Sequence, residues 1–204
     1  MANKAQPDEP LSPHPEPPDS LVEQELPIKQ LDGPWYRLHS SSRQASYFGC
    51  SGTNRFDAPQ REFGILYVGM DEYGPFIESF GRVHGKRGVE LSLLKTKNLS
   101  RIESDRALNL VDMTGKGLVL LGADARLASG DYRVAQRWAQ ALWQHPSQPD
   151  GLIYHSRHDD EHVCGAIFDR ASKNLSEHNL GSLADQQNTR LLAALLEHYE
   201  FALL

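Results

Sequence analysis

The chain has only two cysteines, Cys50 and Cys164, and nothing resembling a secretory leader precedes them. That is too few for a disulfide framework, so reduced thiols in a cytoplasmic protein are the expectation. No apolar run approaches the ~20 residues a membrane span needs. Basic excess is missing as well: 21 lysines and arginines against 27 acidic residues leave a net charge of −6. That balance argues against direct nucleic-acid binding, which shows as a basic patch or excess. There is no G-x-S-x-G elbow for serine-hydrolase chemistry. The basic, glycine-rich run Gly81-Arg82-Val83-His84-Gly85-Lys86-Arg87-Gly88 lacks P-loop spacing. It reads as a solvated turn, or as a cleft rim that attracts phosphates. No internal repeat is visible.

What is present divides unevenly. Residues 1–30 hold seven of the twelve prolines, and six carboxylates there face only Lys4 and Lys29. With few apolar side chains to offset the entropy of ordering, this segment reads as a disordered acidic tail, with order beginning near Leu26-Pro27-Ile28. Residues 31–204 are long enough for one domain with a real core. Trp35 to His39 alternates as a strand, and a loop rich in Ser, Gly and Asn follows to Asn54, broken by Tyr47-Phe48. A loop of that length favours a functional rim. Val89–Leu94, Ala107–Asp112 and Gly117–Leu121 read as strands. Asp131 opens a helix that carries Val134, Trp138 and Leu142 at helical spacing until Pro146. Asp150-Gly151 turns into a strand Leu152-Ile153-Tyr154, with Val163–Phe168 as its partner. Ser182-x-x-Asp185 resembles a capping box before a last helix bearing Leu191, Leu192, Leu195, Leu196 and Tyr199. Short strands with a few helices give an α+β class.

The densest stretch is Asn54–Arg82, NRFDAPQREFGILYVGMDEYGPFIESFGR. A turn-prone segment carrying Arg55 and Asp57 leads into a glycine-bounded apolar strand, Gly64 to Gly69, which contains Tyr67. Pro75 then suits a first helical position, and the short helix bears Glu78 among Phe76, Ile77 and Phe80. An ionised carboxylate in such company is costly unless it is solvated or paired. Glu78 either sits on a polar helix side, paired with Arg82 at i,i+4 for ~0.3–0.5 kcal/mol, or points into a cleft beside Arg55 and Tyr67.

This segment, with Trp35-Tyr36-Arg37 upstream and DGLIYHSRHDDE downstream, resembles the RES family, named for its Arg, Glu and Ser. The likeness runs from about Pro34 to Asp169. Arg55 falls on the family arginine before the strand, Tyr67 on the tyrosine of that strand, Glu78 on the helix glutamate and Ser156 on the serine. The resemblance implies an ADP-ribosyltransferase-like fold of split, mixed and antiparallel sheets. It also implies an NAD⁺-consuming enzyme that cleaves the nicotinamide–ribose bond, a glycohydrolase or phosphorylase serving as the toxin of a toxin–antitoxin pair. NAD⁺ is then a substrate and no cofactor is required. A helix-turn-helix antitoxin would be the partner, and a homodimer is possible. Glu78, Arg55 and Tyr67 are the expected catalytic group. Arg37, Ser156, Tyr47 and Arg157 are expected to bind substrate, Arg157 less so because adjacent strand residues face opposite ways.

Three alternatives stay open. One is transfer of ADP-ribose to a protein, and another is a non-catalytic nucleotide-binding module. The third is a metal-dependent hydrolase built on His155, His158 and His162, which with Cys164 and the intervening acids supply metal-ligand types. HExxH spacing is absent there, and a solvated hairpin loop explains the same residues.

Overall fold

Ile65–Gly69 (β3) is an apolar run buried along nearly its whole length, as expected of a strand covered on both faces. The computed structural model, which describes residues 14–82 and 87–204, places it centrally in an eight-stranded sheet. In chain order the other strands of this sheet are Ile28–Leu31 (β1), Trp35–Ser40 (β2), Lys97–Ser104 (β5), Leu108–Asp112 (β6), Gly151–His155 (β7), Val163–Phe168 (β8) and Leu175–Gly181 (β9). A parallel pair, Gly88–Val89 (β4) with Ala202–Leu203 (β10), stands apart. The strand order is β1-β6-β7-β8-β3-β2-β5-β9, antiparallel except between β6 and β7. Full ladders hold β3 to β8 and β2 to β5, but β2 meets β3 through the single pair Tyr36↔Gly69. The sheet is therefore nearly split between those two strands, as the resemblance implies, within the expected α+β class.

Helices cover the sheet: Tyr73–Phe80 (α1), Leu91–Leu94 (α2), Gly115–Leu121 (α3), Arg126–Ser129 (α4), Tyr132–Gln144 (α5) and Thr189–His198 (α6). The Asp131 side chain caps α5 by accepting from the Arg133 N–H. The apolar stripe of α5, including Trp138 and Leu142, lies buried beside Phe56, Val111 and Phe168. Side chains of this kind contribute about 1.5–3 kcal/mol each when fully buried. Leu192 and Leu195 of α6 join Phe76, Phe80 and Leu183 in a separate cluster, so the last helix packs on the body. None of the described helices is long and apolar enough to cross a membrane.

Several sequence expectations are corrected. Residues 14–30 do not form a disordered tail. Leu21 and Leu26 enter the main core, the Trp138 indole donates to the Pro15 carbonyl, and Arg137 pairs with Glu16. Proline density concealed two anchoring leucines. Residues 1–13, the rest of the expected tail, lie outside the described residues, as do residues 83–86 of the basic glycine-rich run. Gly117–Leu121 is helical, because a short apolar run does not separate strand from helix by periodicity. Gly117 lets this turn lie against the Asp112 carbonyl, and Gly122 ends it at φ 70°. Val89–Leu94 breaks at Glu90 into the end of β4 and the one-turn α2. Asp185 does reach back to the Ser182 N–H, but a 3-10 turn at Gln186–Asn188 precedes α6. Pro75 is the third residue of α1, still in the first turn, where no N–H bond within the helix is lost.

Candidate active site

Where the sheet splits, β2 and β3 leave a cavity of about 200 Å³, and α1 forms one of its walls. Arg37 and Leu38 line it from β2, Tyr67 and Val68 from β3, and Pro75, Glu78, Ser79 and Arg82 from α1 and its C-terminal turn. The close approach of α1 to β3 depends on Gly69, where a Cβ would stand 2.3 Å from Pro75 Cδ.

The loop before β3 is a frame built on Asp57, a fully buried carboxylate. One of its oxygens accepts from Ser51 Oγ, the Thr53 and Asn54 N–H groups and Asn54 Nδ2; the other accepts from the Tyr67 hydroxyl at 3.0 Å. Tyr67 in turn accepts from the Phe56 N–H at 2.9 Å. Burial pushes the Tyr67 phenol well up, and the Asp57 charge adds to this. Tyr67 therefore contributes a wall, while its hydroxyl is committed to the frame.

That frame delivers Arg55. Only 6% exposed, the guanidinium lies 4.4 Å from the Tyr132 ring centre and donates through Nη1 to the carbonyls of Leu127 and Gly130. Its Nη2 is buried without a hydrogen-bond partner among the described residues. Burial lowers its pKa, nearby Arg157 acts in the same direction and Glu78 opposes. Arg37 donates to the Tyr47 carbonyl at 3.0 Å, and burial pushes it down to about 10, against the pull of Glu177.

Glu78 faces the cavity from α1. Ser156, 2% exposed, donates its hydroxyl to Glu78 Oε1 at 2.7 Å and accepts from the His158 N–H. Arg82 Nε meets the Glu78 backbone carbonyl, so that contact is a helix-end cap and leaves the carboxylate directed at the site. Among the described residues, the charged lining is Arg37, Arg55, Arg82 and Arg157 against Glu78 alone. In a chain of net charge −6 this is a concentrated positive field. It selects for an anionic ligand, and guanidinium forks match phosphate oxygens.

Of the expected residues, Arg37, Arg55, Tyr67, Glu78 and Arg157 line one cavity, and Ser156 stands behind Glu78. Arg157 reaches the site because the strand ends at His155, so facing alternation no longer holds. Tyr47 does not line the cavity. Its side chain is 47% exposed, beneath Arg43, and only its carbonyl serves, by holding Arg37. Asp57, Tyr132 and Tyr154 went unmarked by sequence reasoning. The Asn54-x-x-Asp57 spacing was the available signal for the first; the two tyrosines had none. The expected histidine trio is not brought together. Among the described residues the donors that converge are Asp159, His162 and His198. Cys164 also borders the cavity, but burial pushes its thiol far up, with Glu78 and Asp71 adding to the effect, so it is no thiolate nucleophile.

Comparison with known proteins gives the chain's relatives and its family. A probable toxin, y4kH, of Sinorhizobium fredii (strain NBRC 101917 / NGR234) is 30% identical over 108 residues, spanning 51% of this chain and 84% of the relative. The crystal structure of the M. tuberculosis MbcT–MbcA toxin–antitoxin complex holds a chain of the same fold, with a TM-score of 0.62 at 16% identity, covering 84% of this chain and 98% of that one. The RES domain matches residues 34–188, and with three quarters of its length inside that match the chain belongs to the RES domain family.

Proposed function

We propose that the protein degrades NAD⁺ by cleaving the bond between nicotinamide and ribose, and that it is the toxin of a toxin–antitoxin pair. The observation that carries this reading is the single carboxylate, Glu78, oriented by a buried serine in a cavity whose other charged lining residues are four arginines. A dinucleotide matches that distribution. Its pyrophosphate suits the arginines, and the cationic nicotinamide ribose suits the carboxylate. When the C–N bond breaks, the electron pair leaves with nicotinamide and positive charge develops on the ribose carbon. A fixed negative charge nearby stabilises that state, as carboxylates do in glycosidases. The Ser156 hydroxyl keeps Glu78 in one orientation, and Tyr67 and Tyr154 give flat walls. Water or phosphate then adds at the ribose carbon. A protein acceptor would make the same cleavage an ADP-ribosylation, which product analysis distinguishes. The toxin assignment rests on the names of the relatives, and a cognate antitoxin, of the helix-turn-helix kind, is the proposed partner.

The test is nicotinamide release from NAD⁺ by the purified protein and by Glu78→Gln. The variant keeps the shape and a hydrogen-bond acceptor for Ser156 but removes the charge. We expect it to fold normally and to lose about 10²–10³-fold in rate, the scale of removing one preorganised electrostatic group. Equal turnover by both proteins, or none by the wild type, would overturn the proposal.

A further inference from the structure

At the other end of α1 from the Glu78 cavity lies a second constellation. His162, in the turn between β7 and β8, donates from Nδ1 to Asp71 Oδ2 at 2.7 Å. The other Asp71 oxygen is anchored by the Gly74 N–H at 3.0 Å. With the Nδ1 proton committed, the Nε2 lone pair of His162 points away from Asp71. That nitrogen is buried and has no hydrogen bond among the described residues. It stands 3.5 Å from Asp159 Oδ2, and His198 Nε2, at the end of α6, stands 3.8 Å from the same oxygen. No two donors of the three are more than 4.8 Å apart. A tetrahedral centre with bonds of about 2.0–2.1 Å sets its ligands about 3.3 Å from one another, so small side-chain movements suffice. None of the three residues lines the cavity.

We propose that Asp159, His162 and His198 form a divalent-metal site of the zinc class, with Asp71 as the residue that orients His162. Imidazole nitrogens with a carboxylate oxygen are a borderline-soft donor set suited to Zn²⁺. A carboxylate on the far nitrogen of a ligating histidine is the usual outer partner of such a site. Charge also balances, since Asp71 and Asp159 together offset a dication. The ring of Tyr73, the first residue of α1, stacks on His162 at 5.4 Å and meets His198 edge-on at 4.9 Å, walling one side. His198 is 43% exposed and gives an entry path. The ion would fasten α6 to the β7–β8 turn and to the start of α1. The alternative is a protonated His162 paired with both carboxylates and no metal.

Chelator-treated full-length protein titrated with Zn²⁺ by calorimetry decides between them. We expect one equivalent bound and a melting temperature that rises with added metal. His198→Ala, at a half-exposed helix end, and Asp159→Asn should each weaken binding at least about tenfold. Asp71→Asn, which keeps an acceptor for Gly74, should weaken it about 10–100-fold without removing a ligand. Co²⁺ substitution should give visible ligand-field absorption that His198→Ala abolishes. Glu78→Gln should bind Zn²⁺ like the wild type, so this site and the proposed activity fail independently. Absence of stoichiometric binding, or binding unchanged in both His198→Ala and Asp159→Asn, would overturn the site.

Discussion

The two loops that flank the cavity are built on opposite plans. Residues 51–57 close around Asp57, whose two oxygens are both used, one by four donors and the other by Tyr67. Residues 156–162 hold one committed hydroxyl on Ser156, yet His162 Nε2, like Nδ1 of His155 at the end of β7, is buried without a hydrogen bond among the described residues. Buried polar groups are nearly always satisfied, so unpartnered ones call for a ligand, a proton or a function. The first loop is held by its own carboxylate and carries Arg55, whose Nη2 is itself unpartnered among the described residues. The first segment is thus held from within by its own carboxylate, the second by carboxylates outside it, Glu78 and Asp71.

Breaking the frame should have the largest effect. Asp57→Ala removes the acceptor of five hydrogen bonds, strands the buried Tyr67 hydroxyl and leaves the part-buried Asn54 N–H unpaired, while the Thr53 N–H keeps Ser51 Oγ. Each buried group left unsatisfied costs about 1–3 kcal/mol, so a loss of about 3–5 kcal/mol is expected after relaxation and some water entry. Urea unfolding measures it. A change under 1 kcal/mol would show that the loop is not held by Asp57. Arg55 lies within the loop, so activity should fall further than stability alone explains.

The second loop should respond differently. Ser156→Ala leaves Glu78 charged but without its 2.7 Å hydrogen bond. A hydrogen bond to a charged group is worth about 1.5–3 kcal/mol, which in a rate is roughly ten- to hundredfold. We expect kcat for nicotinamide release to fall by that factor, the KM for NAD⁺ to change little, and stability to drop by about 1 kcal/mol. Were Ser156 to contact the substrate instead, KM would rise and carry most of the effect.

The same contrast explains how much could be read from the chain. Arg55, Tyr67 and Glu78 were marked by the resemblance to the RES family, while glycines, apolar residues and a proline made legible only the strand and the helix that carry the last two. The α+β class was legible for the same reason, and so was the start of α5 at Asp131. What sequence order hides is direction. Ser156 was expected to touch substrate, and the turn after β7 aims it at Glu78; Arg157 was the weaker expectation because strand neighbours face opposite ways, yet it lines the cavity. Tyr67 was assigned chemistry, whereas the buried Asp57 holds its hydroxyl. His198 lies 36 residues beyond His162, and only the packing of α6 brings it near. The N-terminal segment was misread because composition measures the cost of ordering and is blind to two leucines with a receptive surface.

The smallest effect concerns the two thiols, one beside each loop. Cys50 immediately precedes the frame and is exposed, whereas Cys164 follows the second loop on β8 and is buried against the cavity. Thiolate is the reactive form, and burial together with the Glu78 and Asp71 charges pushes the Cys164 thiol far above the ordinary range. Folded protein at pH 8 should therefore give one rapid equivalent with an aromatic disulfide reagent, and the second only in denaturant. Cys50→Ser should abolish the fast phase without altering NAD⁺ turnover, since Cys50 lies outside the cavity lining. Two equally fast thiols would mean that β8 and the loop leading into it open readily, and the orientation of Glu78 by Ser156 would then be transient.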